Sequence, residues 1–140
     1  MNTIVGELIE GPLRRTRPVV LLVEDEPLVA LIAEENLHAI GYEPVVTGNA
    51  AGAMSAVEAG LQPSFAVIDM GLPDARGDEL VKRLRGLRPD LPVVIVSGYA
   101  ESELRARFVG AAGVAIVTKP YSEADLARAT RSLGLAGVEG

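Results

Sequence analysis

Cysteine is absent from this chain of 140 residues. Its absence excludes disulfide bonds and thiolate metal sites. No apolar run approaches the roughly 18–20 residues that are needed to cross a membrane. The N-terminal residues also lack the basic start and apolar stretch of a secretion signal. These absences predict a cytoplasmic protein without a membrane segment.

Histidine and aromatic residues are scarce, and basic residues are outnumbered by acidic ones. The single histidine excludes a multi-histidine metal site, and an aromatic content of 4% disfavours a stacking platform for single-stranded nucleic acid. The 19 acidic and 13 basic residues give a net charge of −6. An acidic surface disfavours nonspecific binding to nucleic-acid phosphates. We therefore expect protein partners and no nucleic acid.

The chain does contain enough apolar material, 49% of its residues, for one folded domain. Short apolar runs closed by turn-forming residues are typical of strands that are buried on both faces. They predict strands at Val19–Val23, Glu43–Thr47, Phe65–Asp69, Leu91–Val96 and Val114–Thr118. A helical pattern follows each strand. This fivefold alternation predicts an α/β fold in which helices cover both faces of a doubly wound parallel five-stranded sheet.

The helix boundaries are marked by specific residues. Pro27 suits the first turn of the first helix, on which Leu28, Leu31 and Ile32 share one face. The later helices are expected at 50–59, 78–87, 100–109 and 122–133, where Ser122 is the predicted N-cap of the last one. Outside them we expect an irregular leader over residues 1–17, a domain over 18–133 and a frayed tail over 134–140.

Polar residues stand at the ends of four predicted strands. Glu24 and Asp25 follow the first strand, Asp69 ends the third, Ser97 follows the fourth and Lys119 follows the fifth. Because the carboxyl ends of parallel strands share one edge of the sheet, these side chains can converge there. Three carboxylates packed together repel one another, and Mg²⁺ relieves this because it prefers oxygen ligands. The three carboxylates carry a charge of −3, and Mg²⁺ with the Lys119 ammonium carries +3.

Such a site suits phosphoryl transfer, which depends mainly on positioning and charge neutralisation. Asp69 would be the nucleophile that becomes an aspartyl phosphate. Glu24 and Asp25 would hold the metal, Lys119 would contact one phosphoryl oxygen, and Ser97 would donate a hydrogen bond to another. The alternative is that these residues have separate structural roles.

The sequence resembles the receiver domains of two-component response regulators, from about Pro18 to Leu133. The matching pieces are Val-Glu-Asp-Glu-Pro (23–27), Ile-Asp-Met-Gly-Leu-Pro-Asp (68–74), Ile-Val-Ser-Gly-Tyr (95–99) and Thr-Lys-Pro-Tyr (118–121). The resemblance implies a CheY-like, flavodoxin-like fold with strand order 2-1-3-4-5. It also implies that Gly71 supplies a backbone carbonyl to the metal and that the bond between Lys119 and Pro120 is cis.

The same resemblance implies how the protein works. A histidine kinase or a histidine phosphotransfer protein donates a phosphoryl group from a phosphohistidine, and the receiver catalyses only its own phosphorylation and dephosphorylation. Binding of a downstream protein target then changes. Because few residues follow the last helix, we expect a single-domain regulator, either a monomer or a weak homodimer. The alternatives are the receiver portion of a hybrid histidine kinase and a receiver-fold binding module that is not phosphorylated.

Several residues depart from the family pattern. Ser97 stands in place of the more frequent Thr, and Glu24 in place of a frequent Asp; both keep the functional group. Ile116 occupies the position where many receivers carry a Tyr or Phe that swings inward on phosphorylation. We therefore hypothesise that residues 97–110 transmit the change instead. Gly71 and Tyr99, at positions that tune attack by water, predict slow to moderate dephosphorylation.

Two other chemistries are disfavoured. An aspartate-dependent phosphatase usually needs a second Asp two residues after the nucleophile, and that position is Gly71. His38 could only be a phosphodonor in a different family, on a helical bundle. A lone histidine late in an amphipathic helix is more often a surface group.

Overall fold

The computed structural model describes residues 17–98, 106, 108 and 112–135. Strands and helices alternate along these residues. The strands are β1 (Val19–Val23), β2 (Glu43–Thr47), β3 (Phe65–Asp69), β4 (Val93–Ser97) and β5 (Val114–Thr118). The helices of the described part are α1 (Pro27–Ala39), α2 (Ala50–Glu58), α3 (Gly77–Leu87) and α4 (Glu123–Ser132).

The five strands form one sheet in the order β2–β1–β3–β4–β5, and every neighbouring pair is parallel. This is the predicted order 2-1-3-4-5, so the expected α/β fold is confirmed. The central strand β3 and its neighbour β4 are buried at every residue. Helices cover both faces of the sheet, which explains why these strands are almost continuously apolar rather than alternating.

Two apolar clusters form the core, one on each face of the sheet. Ile68 of β3 belongs to the cluster that contains residues of α2 and α3, whereas its neighbour Val67 belongs to the cluster that contains residues of α1 and α4. Successive side chains of a strand point to opposite faces, so β3 contributes to both clusters. The sheet edge that receives the strand ends is therefore held between two packed layers.

Two helices begin at N-cap residues whose side chains accept backbone hydrogen bonds, and one of them, Ser122, is the predicted N-cap. Asn49 caps α2, because its side-chain oxygen accepts a hydrogen bond from the Gly52 amide at 2.7 Å. Ser122 caps α4 in a reciprocal arrangement with Asp125, in which each side chain accepts from the other's backbone amide. These bonds satisfy amides at the helix starts that have no partner within the helix.

The apolar face of α1 is not the one that packs against the sheet. Leu28 is 69% exposed, and Leu31 and Ile32 are each 50% exposed. The buried residues of the helix are Ala30, Ala33 and Leu37. Both sets have helical spacing, so periodicity alone does not separate them. The two alanines let the helix lie close to the strands, and this packing leaves the larger side chains on the surface.

Smaller differences concern element boundaries. The third helix begins at Gly77 rather than Asp78, and the fourth strand begins at Val93 rather than Leu91. The predicted helix over 100–109 lies outside the described residues, apart from positions 106 and 108, and so do positions 1–16 of the leader and 136–140 of the tail. Within the described part, no helix combines the length and apolar character required to traverse a bilayer.

Candidate phosphoacceptor site

Three carboxylates meet at the carboxyl edge of the sheet. Glu24 and Asp25 directly follow β1, and Asp69 is the last residue of the adjacent strand β3. One carboxylate oxygen from each of the three residues lies within 4.8 Å of the others. Glu24 and Asp69 are buried, whereas Asp25 is exposed. The cluster therefore opens to solvent on the side of Asp25.

Lys119 joins this cluster from the far side of β4. Its Nζ atom lies 3.3 Å from Asp69 Oδ1 and 3.7 Å from Glu24 Oε1. The Lys119 amide donates a hydrogen bond to the Ser97 carbonyl at 2.8 Å, which continues the pairing of β5 with β4. Burial alone lowers the pKa of the Lys119 ammonium, but the charges of Asp69 and Glu24 outweigh it and raise that pKa. Lys119 is therefore held as a cation between two carboxylates.

The buried carboxylate of Glu24 has a perturbed pKa. Burial raises its pKa from 4.5 to about 7, and the nearby charge of Asp69 adds to the rise. The Glu26 amide, which donates to Glu24 Oε2 at 3.2 Å, and the Lys119 ammonium act in the opposite direction. Glu24 thus changes protonation near neutral pH when no metal is bound.

The backbone after Asp69 turns back on itself. Asp69 Oδ1 accepts a hydrogen bond from the Gly71 amide at 3.3 Å. The Gly77 amide donates to the Met70 carbonyl at 3.0 Å, and Gly71 forms an isolated antiparallel bridge with Arg76. A Cβ atom on Gly77 would lie 2.7 Å from the Asp69 carbonyl oxygen. The start of α3 therefore lies too close to the Asp69 backbone for any residue with a side chain at position 77.

Two further residues complete the surroundings of the site. Ser97, at the end of β4, is 2% exposed. Tyr121 follows a cis bond between Lys119 and Pro120, the isomer that the resemblance implies. Burial raises the pKa of the Tyr121 phenol to about 12, and the charges of Glu24 and Asp69 contribute to the rise. Sequence reasoning gave Tyr121 no role, although the motif Thr-Lys-Pro-Tyr contains it.

The donor set fits Mg²⁺. Its three carboxylates offer oxygen atoms close together, beside a face that solvent can reach. Mg²⁺ is commonly held by one or two carboxylates and retains several waters. The predicted ligands Glu24, Asp25 and Asp69 are therefore placed where they could share one ion, and Gly71 lies in the loop beside them.

An apolar surface adjoins this site. Val29, Ile32, Pro120 and Tyr121 line a cavity of about 360 Å³ together with Lys119. Ile32 also belongs to the exposed apolar face of α1. A partner that contacts this surface would lie next to Lys119, which itself contacts Asp69.

The remaining predicted residues lie elsewhere or outside the described part. Ile116 pairs with Ile95 in the sheet and packs partly buried against the core, so no aromatic side chain occupies this position. His38 Nε2 lies 3.5 Å from a Glu43 carboxylate oxygen, at the opposite edge of the sheet. Tyr99 is not among the described residues.

One contact of the loop after Asp69 was missed by sequence reasoning. Asp74, which the sequence placed only in a loop, accepts hydrogen bonds from the amides of Ala50 and Ala51 at 2.8 and 3.0 Å. These amides begin α2, which lies 23–24 residues earlier in the chain. Asp74 closes the receiver-like piece 68–74, but an Asp after Leu-Pro is equally typical of an ordinary turn, so sequence reasoning assigned it no contact.

Comparison with known proteins identifies the same region. Residues 20–131 match the family model described as the response regulator receiver domain. The transcriptional regulatory protein TcrX of Mycobacterium tuberculosis, described as probable, is 32% identical over 81% of this chain and 48% of its own length. The sensor kinase CckA of Brucella abortus is 30% identical over 81% of this chain and 12% of its own length. The chain thus spans less than half the length of these relatives.

Solved structures agree with this match. A CheY-like receiver domain protein from Methanospirillum hungatei JF-1 superposes with a TM-score of 0.74, at 27% identity over 85% of this chain and 95% of that one. A CheY-like receiver domain from Methylobacillus flagellatus gives a TM-score of 0.74, at 27% identity over 84% of this chain and 99% of that one. The chain belongs to the response regulator receiver domain family of two-component signalling.

Proposed function

We propose that this protein is a phosphorylation-dependent switch that accepts a phosphoryl group on Asp69 from a phosphohistidine. The observation that carries the proposal is the contact of Lys119 with both Asp69 and Glu24, at 3.3 and 3.7 Å. A nucleophilic carboxylate, two neighbouring carboxylates and a cation stand together at the open edge of the sheet. This is the charge arrangement that phosphoryl transfer requires.

The proposed reaction has two steps. An Asp69 carboxylate oxygen attacks phosphorus, and the new P–O bond forms as the P–N bond to the donor imidazole breaks. The imidazole leaves and is protonated from solvent. In the second step, which ends the signal, water attacks the same phosphorus and the acyl phosphate bond breaks. Inorganic phosphate leaves, the proton of the attacking water passes to solvent, and the Asp69 carboxylate is regenerated.

The other site residues act on charge and position. A Mg²⁺ ion held by Glu24, Asp25, Asp69 and the Gly71 carbonyl would neutralise charge on the phosphoryl oxygens. Lys119 contacts one phosphoryl oxygen, and the Ser97 hydroxyl donates a hydrogen bond to another. Phosphorylation raises the local negative charge from −1 to about −2. This change biases an existing equilibrium between two conformations, which is how the signal leaves the site.

The phosphodonor is a histidine kinase or a histidine phosphotransfer protein. The exposed apolar face of α1, Leu28, Leu31 and Ile32, supports this assignment because it adjoins the cavity beside Lys119. A donor seated there reaches the open side of the carboxylate cluster. The receiver spans residues 18–133, works in the cytoplasm as a monomer or weak homodimer, and acts on a protein target rather than on nucleic acid.

Transmission of the signal differs from the aromatic mechanism. Ile116 has no ring to rotate, and its side chain is already packed against the core. We therefore assign the conformational change to residues 97–110. Backbone amide shifts with and without beryllofluoride test this assignment. Unchanged shifts across 97–110 would show it to be wrong.

Treatment with acetyl phosphate and Mg²⁺, followed by intact-protein mass spectrometry, tests the proposed function. We expect the wild-type protein to gain one phosphoryl group and Asp69→Ala to gain none. Asp90→Ala is the matched control, since Asp90 is an exposed aspartate in the loop before β4, and it should be modified like wild type. If wild type is not modified, or Asp69→Ala is modified, Asp69 is not the acceptor. An unmodified wild type would favour the non-phosphorylated binding module.

A further inference from the structure

The start of α2 is held by a residue from another element. The first amides of a helix have no partner within it. Asn49 supplies one acceptor, to the Gly52 amide at 2.7 Å. Both oxygens of Asp74 supply the others, to Ala50 at 2.8 Å and Ala51 at 3.0 Å. The helix is thus capped partly by its own preceding residue and partly by the loop between β3 and α3.

This end of α2 is a firm anchor. Ala50 and Ala53 are both fully buried in the core cluster that contains Ile68. A carboxylate at a helix N-terminus also interacts favourably with the helix dipole. Hydrogen bonds from the Ala50 and Ala51 amides lower the pKa of the Asp74 carboxyl, so it is ionised at neutral pH. Asp74 therefore makes two charge-assisted bonds to a fixed point.

The loop that carries Asp74 is exposed at most of its residues but is held at several points. Of its residues, Gly71, Pro73, Asp74 and Arg76 are exposed. Its two ends are joined by the Gly77 amide bond to Met70 and by the bridge between Gly71 and Arg76. Leu72 is buried in the core cluster that contains Ile68, and Ala75 packs against that cluster, so apolar contacts also hold the loop. The two bonds of Asp74 add the polar link between the loop and the start of α2.

We infer that Asp74 is a positioning residue for the phosphoacceptor site: by fixing the β3–α3 loop to the N-terminus of α2, it holds Gly71 beside Asp69. The Gly71 amide already contacts Asp69 Oδ1 at 3.3 Å, and its carbonyl belongs to the proposed metal shell. The inference rests on the proposed function, because it concerns the same metal and the same nucleophile. It adds a residue that touches neither of them.

The competing explanation is that Asp74 only stabilises α2. Asn49→Ala separates the two explanations, because it removes an acceptor from the same helix start without touching the loop. Asp74→Ala removes the acceptors from the loop side, and Asp74→Asn keeps one acceptor oxygen but loses the charge. The Asn49 variant and the Asp74 variants should all lower the melting temperature. Only the Asp74 variants should change Mg²⁺ binding and the position of Gly71.

The experiment measures Mg²⁺ binding by calorimetry and backbone amide shifts in metal-free protein. For Asp74→Ala we expect the Kd for Mg²⁺ to rise by roughly tenfold, as for other residues that orient metal ligands, and the Gly71 amide to shift without metal. Asp74→Asn should lie between wild type and Asp74→Ala. Asn49→Ala should keep a Kd within about twofold of wild type and an unshifted Gly71 amide.

Hydrogen exchange gives a second readout. If Asp74 couples the metal-binding loop to α2, Mg²⁺ binding to the loop must in turn stabilise the start of α2. We therefore expect Mg²⁺ to slow hydrogen exchange at the Ala50 and Ala51 amides in wild type and in Asn49→Ala, but not in Asp74→Ala. A merely structural cap would not produce this difference.

The outcomes distinguish the two proposals. Equal changes in Kd for Asp74→Ala and Asn49→Ala, or no change for Asp74→Ala, would overturn the positioning role and leave the proposed function intact. A wild-type protein that neither binds Mg²⁺ nor accepts phosphate on Asp69 would overturn the proposed function and the inference with it.

Discussion

The ammonium group of Lys119 lies 3.3 Å from the carboxylate of Asp69. Asp69 ends β3 and Lys119 follows β5, and β4 lies between these two strands. The long lysine side chain spans that strand and also comes within 3.7 Å of Glu24. An ion pair of this kind, with both carboxylates buried, is less screened by solvent than a surface pair. Lys119 therefore offsets part of the negative charge of the carboxylate cluster.

Replacing Lys119 should separate phosphoryl recognition from metal binding. In Lys119→Gln we expect beryllofluoride affinity to fall by between tenfold and a hundredfold, equivalent to roughly 1.5–3 kcal/mol for a hydrogen bond to a charged group. Mg²⁺ affinity should not fall, because the substitution removes an ammonium group that repels the cation in the wild-type protein. Fluorine NMR titration and calorimetry measure the two affinities.

The matched control is Lys82→Gln, which changes the other lysine of the chain, an exposed residue of α3. Both of its affinities should equal those of wild type. Parallel losses of beryllofluoride and Mg²⁺ affinity in Lys119→Gln would contradict the role of Lys119 and indicate a general disturbance of the site.

Glu24 should give the metal-free protein an unusual dependence of stability on pH. Its pKa is about 7 in the folded protein and 4.5 in the reference state, so the folded protein binds the proton more tightly. The contribution of Glu24 to stability is therefore fully present below about pH 4.5 and is lost as the pH rises through 7. In EDTA, the melting temperature should fall by several degrees between pH 5 and pH 8, since ~1 kcal/mol is worth roughly 3–6 °C at this chain length.

Two comparisons isolate the effect of Glu24 from that of other groups. Glu24→Gln should lose most of this pH dependence, whereas Glu58→Gln, an exposed glutamate at the end of α2, should retain it. Saturating Mg²⁺ should also reduce the dependence, because it favours the ionised carboxylate. An unchanged pH profile in Glu24→Gln would show that Glu24 is not the titrating group.

Much of the fold could be predicted because its strands are short apolar runs that end in turn-forming residues. Val19–Val23 and Phe65–Asp69 were found with their observed bounds. Parallel topology then brings their carboxyl ends together, so the convergence of Glu24 and Asp69 needed no knowledge of side-chain positions. Contacts of the loop after Asp69 could not be predicted in this way. The hydrogen bond from the Ala50 amide to Asp74 depends on the conformation of a loop, and hydrophobic periodicity does not predict loop conformations.

Periodicity also could not predict which face of α1 packs against the sheet. Two leucines of this helix test which face is buried. Leu37 is fully buried and Leu31 is 50% exposed, although both lie in the same helix. Leu37→Ala should lower the free energy of unfolding by about 2–5 kcal/mol, because it leaves a cavity in the core. Leu31→Ala should change it by less than about 0.5 kcal/mol. Urea denaturation measures both values, and a larger loss for Leu31→Ala would mean that the helix packs by its other face.

The two glycines of α3 should respond in opposite directions to alanine. In Gly77→Ala the new Cβ would lie 2.7 Å from the Asp69 carbonyl oxygen and 2.9 Å from Met70 Cα, both backbone atoms that cannot move aside cheaply. We expect a loss of roughly 1–3 kcal/mol in the free energy of unfolding from this overpacking. We also expect weaker Mg²⁺ binding, because the displaced backbone carries Asp69, a member of the carboxylate cluster.

Gly86 is the matched control, since it lies in the same helix and a Cβ there meets nothing within 4 Å. Gly86→Ala should raise the free energy of unfolding by roughly 0.5–1 kcal/mol, the usual gain when alanine replaces glycine inside a helix. Helix propensity alone would favour alanine at both positions. Opposite signs in urea denaturation would therefore show that contact with Asp69 and Met70 decides the result at Gly77, whereas stabilisation of both variants would show that the start of α3 moves aside at little cost.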